Sequence, residues 1–182
     1  MEKCRLVFTG SGGQGVITAA IVLAEAAVLH ENLNATQAQS YGPEARGGAT
    51  RSDVIIAKSE IRYPKVMQPD VLVCLTQEAY GKFSSIVRPG GVLLTDSRFV
   101  TVRTNVDAQQ VQLPMYQTVM DQIGKPIVFN ICVLGTILGL IDLIKPESVM
   151  KVLEERFPRG VELNRQALTL GLDLGKQHRR EE

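Results

Sequence analysis

Residues 4–27 read CRLVFTGSGGQGVITAAIVLAEAA, and the fold turns on how that stretch divides. Arg5, Leu6, Val7 and Phe8 form a short, largely apolar run, the pattern of a buried strand. The run breaks into Gly10-Ser11-Gly12-Gly13-Gln14-Gly15, after which Val16, Ala19, Ala20, Leu23, Ala24 and Ala27 recur at helical spacing. Strand, glycine-rich turn and helix N-terminus together predict an anion site. The first N–H groups of a helix have no partner inside it, and the positive end of the dipole lies there. Glycine lets the backbone turn sharply and approach a ligand with no Cβ in the way. Gly10, Gly12 and Gly15 also match the GxGxxG dinucleotide fingerprint in its proper setting. The pattern leaves two readings open: a phosphate-bearing ligand, or a loop that only packs helix on strand.

Outward from that stretch, 182 residues predict a single domain, 1–182, with a substantial core. A net charge of +1 makes no case for nucleic acid or an anionic membrane surface. Cys4, Cys74 and Cys132 are far apart in apolar runs, which predicts buried thiols rather than a disulfide framework or a zinc site. Three cysteines are also one short of the usual four cluster ligands. The opening MEKCRLVF is too short and too charged for a secretory signal. Residues 127–144 are the longest apolar stretch, but Asn130 and Asp142 interrupt it, so a buried helix is expected rather than a membrane span. The expected location is the cytoplasm.

After the first helix, His30 falls in a last helical turn, where it complements the dipole. Residues 35–40 read as a second strand. In a nicotinamide-binding fold an acidic residue at its end would hold the ribose, and residues 34–40 contain no carboxylate. Tyr41-Gly42-Pro43-Glu44-Ala45-Arg46-Gly47-Gly48 follows, then a clear strand at residues 53–57. About eight connecting residues are too few for a parallel crossover, so the third strand is expected antiparallel to the second. Placed at the carboxyl end of the second strand, this loop faces the glycine turn, where Arg46 and Arg51 could clamp an anion. Solvated charges or contact with another subunit is the alternative.

Residues 59–64 suggest a turn and a short edge. A strand at 70–75, a helix capped by Thr76 and a strand at 92–95 make a parallel βαβ unit. Asp96 reads as a turn residue or a functional carboxylate, and residues 111–113 as a last strand. The C-terminal part is helical: residues 126–141 with Gly135 and Gly139 set for close contact, a helix opened by Pro146, and a final amphipathic helix over 161–177. The fold class is α/β, a Rossmann-like three-layer domain with a mostly parallel, mixed sheet and a helical C-terminal part. Neither a Ser-His-Asp arrangement, nor HExxH spacing, nor GxxxxGK[ST] is present. The sequence thus offers an anion-binding edge without chemical machinery.

Taken together, residues 10–15 and the run Ser40-Tyr41-Gly42-Pro43-Glu44-Ala45-Arg46-Gly47-Gly48 resemble the gamma subunit of 2-oxoacid:ferredoxin oxidoreductases, the 2-oxoglutarate branch above all. The likeness continues through residues 69–73, 89–91 and 130–139. It implies a complex that decarboxylates a 2-oxoacid on thiamine diphosphate, passes electrons through iron–sulfur clusters to ferredoxin, and transfers the acyl group to coenzyme A. Alpha, beta and ferredoxin-like delta subunits would be the partners and would carry the thiamine and the clusters, with no cofactor bound by this chain alone. The resemblance places this subunit on the coenzyme A side. It makes Gly10, Gly12, Gly13, Gln14, Gly15, Tyr41 and Arg46 the candidate cofactor-proximal residues, with no catalytic or metal-binding residue. A stand-alone nucleotide-binding protein and a ligand-free structural adapter stay open beside it.

Overall fold

In the computed structural model residues 2–40 and 49–181 are described. The opening strand, β1 (Lys3–Gly10), is buried from Leu6 onward, and α1 (Val16–Glu31) follows the glycine turn. α1 stops at Asn32, whose left-handed backbone (φ 53°) lets its N–H return to the carbonyl of Ala27. β2 (Asn34–Ser40) and β3 (Thr50–Ala57) come next, then β4 (Val71–Cys74), α2 (Gln77–Phe83), β5 (Gly91–Asp96) and β6 (Ala108–Leu113). The helical part comprises α3 (Met115–Gln122), α4 (Phe129–Leu140), α5 (Pro146–Arg156) and α6 (Val161–Glu181).

The six strands lie in the order β2-β3-β1-β4-β5-β6. β3 is antiparallel to both β2 and β1, and the β1–β4, β4–β5 and β5–β6 pairs are parallel. Only β3 therefore runs against the rest, as its short connection to β2 demands. The registers Gly10↔Thr50 and Ser40↔Arg51 bring both ends of the 41–48 connection to the sheet edge that carries the glycine turn.

Side chains alternate across this sheet with period two. Leu6, Phe8, Val54, Ile56, Val71 and Val73 face one side, where α1, α4, α5 and α6 pack. Val7, Ile55, Leu72, Cys74 and Leu93 face the other, under Tyr80 of α2 and the loop residues Val66 and Val100. α2 starts as expected: the Thr76 hydroxyl accepts from the N–H of Ala79 at 3.1 Å.

α4 is buried without a break from Phe129 to Gly139. Its 12 residues span about 18 Å, too short for the ~30 Å core of a bilayer. Among the described residues no helix is long and apolar enough to cross a membrane. α4 and α6 approach so closely that an added Cβ at Gly135 would stand 2.2 Å from the carbonyl oxygen of Leu168. At Gly171 the same construction reaches the carbonyl oxygen of Cys132 at 1.9 Å.

The short edge expected at residues 59–64 is not a strand. The strands it connects, β3 and β4, each already have two neighbours, so neither offers that segment a free edge. It is pinned at Val66 instead, whose N–H donates to Asp53 Oδ2 at 2.9 Å.

Candidate functional site

The glycine turn is built by side chains that fasten it from within. Gln14 Oε1 accepts from the N–H of Ser11 at 2.8 Å, and Gln14 Nε2 donates to the carbonyl of Leu75 at 3.2 Å. Gln14 thus ties the β1–α1 turn to the end of β4. Gly15 caps α1 at φ 71°, and a Cβ there would lie 2.6 Å from Asn130 Nδ2, which donates to the Gly15 carbonyl at 3.2 Å. Asn130, noted above only as a break in an apolar stretch, links the turn to the start of α4. Gly12 and Gly13 differ: among the described residues a Cβ on either meets nothing within 4 Å. Their N–H groups make no hydrogen bond among the described residues.

Beside this turn opens a cavity of about 650 Å³. Gly13, Gln14, Gly15 and Thr18 form one wall, Ile127, Asn130 and Ile131 at the start of α4 a second, and Phe157, Arg159 and Asn164 at the α5–α6 junction a third. Ile127 is 80 % exposed and adds an apolar surface to that wall. Asn164 is only 7 % exposed, and among the described residues its amide has no hydrogen-bond partner. Arg156 is held by Glu25 at 2.8 Å, whereas Arg159 has no ion pair to a described residue. Unclaimed N–H donors at a helix N-terminus, a free guanidinium, a free amide and apolar walls suit a ligand with an anionic and an apolar part. Among the described residues no carboxylate, imidazole or thiol lines the cavity.

Of the residues singled out in the sequence, Gly13, Gln14 and Gly15 line this cavity, and Gly10 and Gly12 belong to the same turn. Tyr41 and Arg46 lie outside the described residues. Arg51 is not an anion clamp: its guanidinium donates to both oxygens of Asp53, at 2.6 and 3.0 Å, and to the carbonyl of Val66. Asp96 is a structural carboxylate that accepts from the N–H groups of Arg98 (2.9 Å) and Tyr116 (2.7 Å) at the start of α3. Burial pushes its pKa up, while those hydrogen bonds pull it down.

Arg159 and Asn164 were missed in the sequence. The signal available was Phe157-Pro158-Arg159-Gly160, a helix break carrying an aromatic and a cation. Nothing local says that this break sits beside residue 13.

All three cysteines are free and buried, and burial pushes each thiol up to about 12. Cys4 and Cys132 belong to one face of the sheet and Cys74 to the other, so they cannot ligate a common cluster. Among the described residues no group of three His, Cys, Asp or Glu is placed to hold a metal ion.

Residues 5–174 match the family described as pyruvate ferredoxin/flavodoxin oxidoreductase. The chain is 41 % identical over 172 residues to the 2-oxoglutarate synthase subunit KorC of Methanocaldococcus jannaschii, covering 93 % of this chain and 92 % of that one. Its structure resembles the gamma subunit of a keto/oxoacid ferredoxin oxidoreductase from Geobacter sulfurreducens, with a TM-score of 0.89, 38 % identity and coverage of 97 % and 98 %. The fold also recurs in a 2-oxoglutarate:ferredoxin oxidoreductase from Magnetococcus marinus, solved with 2-oxoglutarate, coenzyme A and succinyl-CoA bound. There the TM-score is 0.87 at 20 % identity, and the match covers 97 % of this chain and 32 % of that one.

Proposed function

This chain belongs to the pyruvate ferredoxin/flavodoxin oxidoreductase family as a gamma subunit of a 2-oxoacid:ferredoxin oxidoreductase, and from that premise we propose that it forms part of the coenzyme A site of a 2-oxoglutarate-specific complex. In this reading the chain works as one domain beside alpha, beta and ferredoxin-like delta subunits, which hold the thiamine diphosphate and the iron–sulfur clusters. The complex converts 2-oxoglutarate and coenzyme A to succinyl-CoA and CO2 and reduces ferredoxin. The gamma chain contributes no reacting group; it binds and orients coenzyme A and helps hold the assembly together.

One observation carries the proposal: free N–H donors, Arg159 and Asn164 converge on one cavity with exposed apolar walls. Coenzyme A has the matching anatomy, with phosphates at one end of a flexible, partly apolar chain. Arg46 belongs in sequence to the connection whose two ends emerge at this same edge.

The test is Arg159→Ala in the reconstituted complex. Losing a hydrogen bond to a charged group costs about 1.5–3 kcal/mol, or roughly 10- to 150-fold in apparent affinity. The Michaelis constant for coenzyme A should rise by that factor, with decarboxylation of 2-oxoglutarate in the absence of coenzyme A unchanged. Arg46→Ala should act in the same direction. Normal coenzyme A kinetics in both variants would sink the proposal, and loss of either chain from the complex would make its arginine an interface residue.

A further inference from the structure

We propose that the opposite pole of the sheet docks an acidic segment of another chain of the complex. The proposal rests on the subunit reading above but not on coenzyme A binding. A second cavity, of about 360 Å³, opens there among Lys3, Arg5, Lys65 and Arg88, with Tyr63 and Met67 on its rim. Lys3 and Gly10 are the two ends of the eight-residue β1, so this site stands about 23 Å from the glycine turn.

Four cations meet one carboxylate here. Asp70 Oδ1 accepts from Arg88 Nε at 2.6 Å, and its Oδ2 lies 3.7 Å from Arg5 Nη1 and accepts the N–H of Arg5 at 2.9 Å. Asp70 is thereby saturated, and Lys3 and Lys65 have no partner among the described residues. Glu60 lies 3.9 Å from Arg62, both side chains exposed, and neither lines this cavity. Lys3, Arg5, Lys65 and Arg88 against Asp70 give this pole a local excess of positive charge in a chain whose net charge is +1. Concentration of one sign in a concavity raises the local potential and steers a partner of opposite sign.

The rim identifies the partner as protein rather than a small anion. Tyr63 is 60 % and Met67 75 % exposed, and they flank Val66, which is buried and anchored through Asp53. The segment is thus fastened at its middle while presenting two apolar side chains outward. Tyr, Met and Arg are the residue types enriched at protein interfaces. A small phosphate would use the cations and leave Tyr63 and Met67 uncovered. An acidic segment with apolar side chains between its carboxylates uses both.

The experiment is zero-length carbodiimide coupling of the assembled complex, read by mass spectrometry, beside assembly titrations of a Lys3→Glu/Lys65→Glu variant. The expected result is amide links from Lys3 and Lys65 to Asp or Glu of a partner chain. The variant should need at least tenfold more partner to assemble and lose most of the salt dependence shown by the wild type, while its thermal midpoint stays unchanged. Once assembled, it should keep the wild-type Michaelis constant for coenzyme A, which separates this proposal from the previous one. Assembly of the variant at wild-type concentrations with unchanged salt dependence would overturn the proposal. So would protection of both lysines by pyrophosphate in the isolated chain with no inter-chain links in the complex. If the variant does not fold, the links formed by the wild type decide alone.

Discussion

Glycine does opposite work at the two ends of α4. Between α4 and α6, Gly135, Gly139, Gly171 and Gly175 are consumed by packing: a Cβ on any of them would fall within 2.4 Å of a backbone oxygen on the facing helix. In the turn before α1, Gly12 and Gly13 leave space that no described residue fills. The first set is explained by the fold. The second is not, and an unfilled approach to unpartnered N–H groups is what a ligand or partner requires. Composition alone cannot separate the two uses.

The largest effect expected from this contrast is at Gly171. Gly171→Ala would place a methyl 1.9 Å from the carbonyl oxygen of Cys132, and a backbone oxygen cannot swing aside as a side-chain tip can. Overpacking of this kind costs about 3 kcal/mol. For a chain of this size that lowers the thermal midpoint by about 6–12 °C. A calorimetric midpoint within 2 °C (about 0.5–1 kcal/mol) of the wild type would show that α4 and α6 can separate cheaply, and the packing half of the contrast would fail.

How much of this was legible beforehand follows from distance along the chain. The β1–turn–α1 and β4–α2–β5 units were readable because periodicity, glycine and the Thr76 cap lie within a few residues of one another. The reversal of β3 was readable because loop length alone excludes a parallel crossover. Gly135 and Gly139 announced a close helix contact, but not that Gly171 and Gly175 complete it. That pairing depends on how α6 is laid against α4. The cavity was half legible: its glycine wall is local, while Arg159 and Asn164 reach it from about 145 residues away. Arg51 was misread because its partner Asp53 is two residues on, the same-face spacing of a strand. That pairing removes its charge from use.

An intermediate effect tests whether the helical side is as internally satisfied as its glycines suggest. Glu31, at the end of α1, accepts from the N–H of Lys145 at 3.0 Å and from the hydroxyl of Ser148 at 2.5 Å, at the start of α5. Burial works to raise its pKa, but the Ser148 and Lys145 hydrogen bonds prevail and hold it below its ordinary 4.5. A carboxylate with a lowered folded pKa stabilises fully above its unfolded pKa and loses that contribution as pH falls through the folded value. Glu31→Gln should therefore cost about 0.5 kcal/mol near neutral pH, solvent screening keeping it small. The difference should vanish in more acid solution. A midpoint difference that is the same at pH 7 and pH 3 would show that the charge of Glu31 is irrelevant to the α1–α5 contact.

The smallest effect on stability is expected at Gly12, and there the contrast is most exposed to refutation. Gly12 lies outside the positive-φ region occupied by Gly13 and Gly15, so alanine meets no backbone strain. A Cβ at Gly12 also meets no atom of a described residue within 4 Å. Gly12→Ala should therefore fold with a stability within about 0.5 kcal/mol of the wild type. Under the proposed function, the same methyl would crowd the path by which coenzyme A reaches the turn in the assembled complex. An overpacking cost of about 1 kcal/mol or more raises the Michaelis constant for coenzyme A roughly fivefold. The two readouts pull apart: Gly171→Ala should damage the fold, and Gly12→Ala should damage only what approaches from outside. If Gly12→Ala melts early, the turn is packed in a way its geometry does not reveal. If it leaves stability, assembly and coenzyme A kinetics all untouched, the open glycine serves nothing, and the turn is a connector like any other.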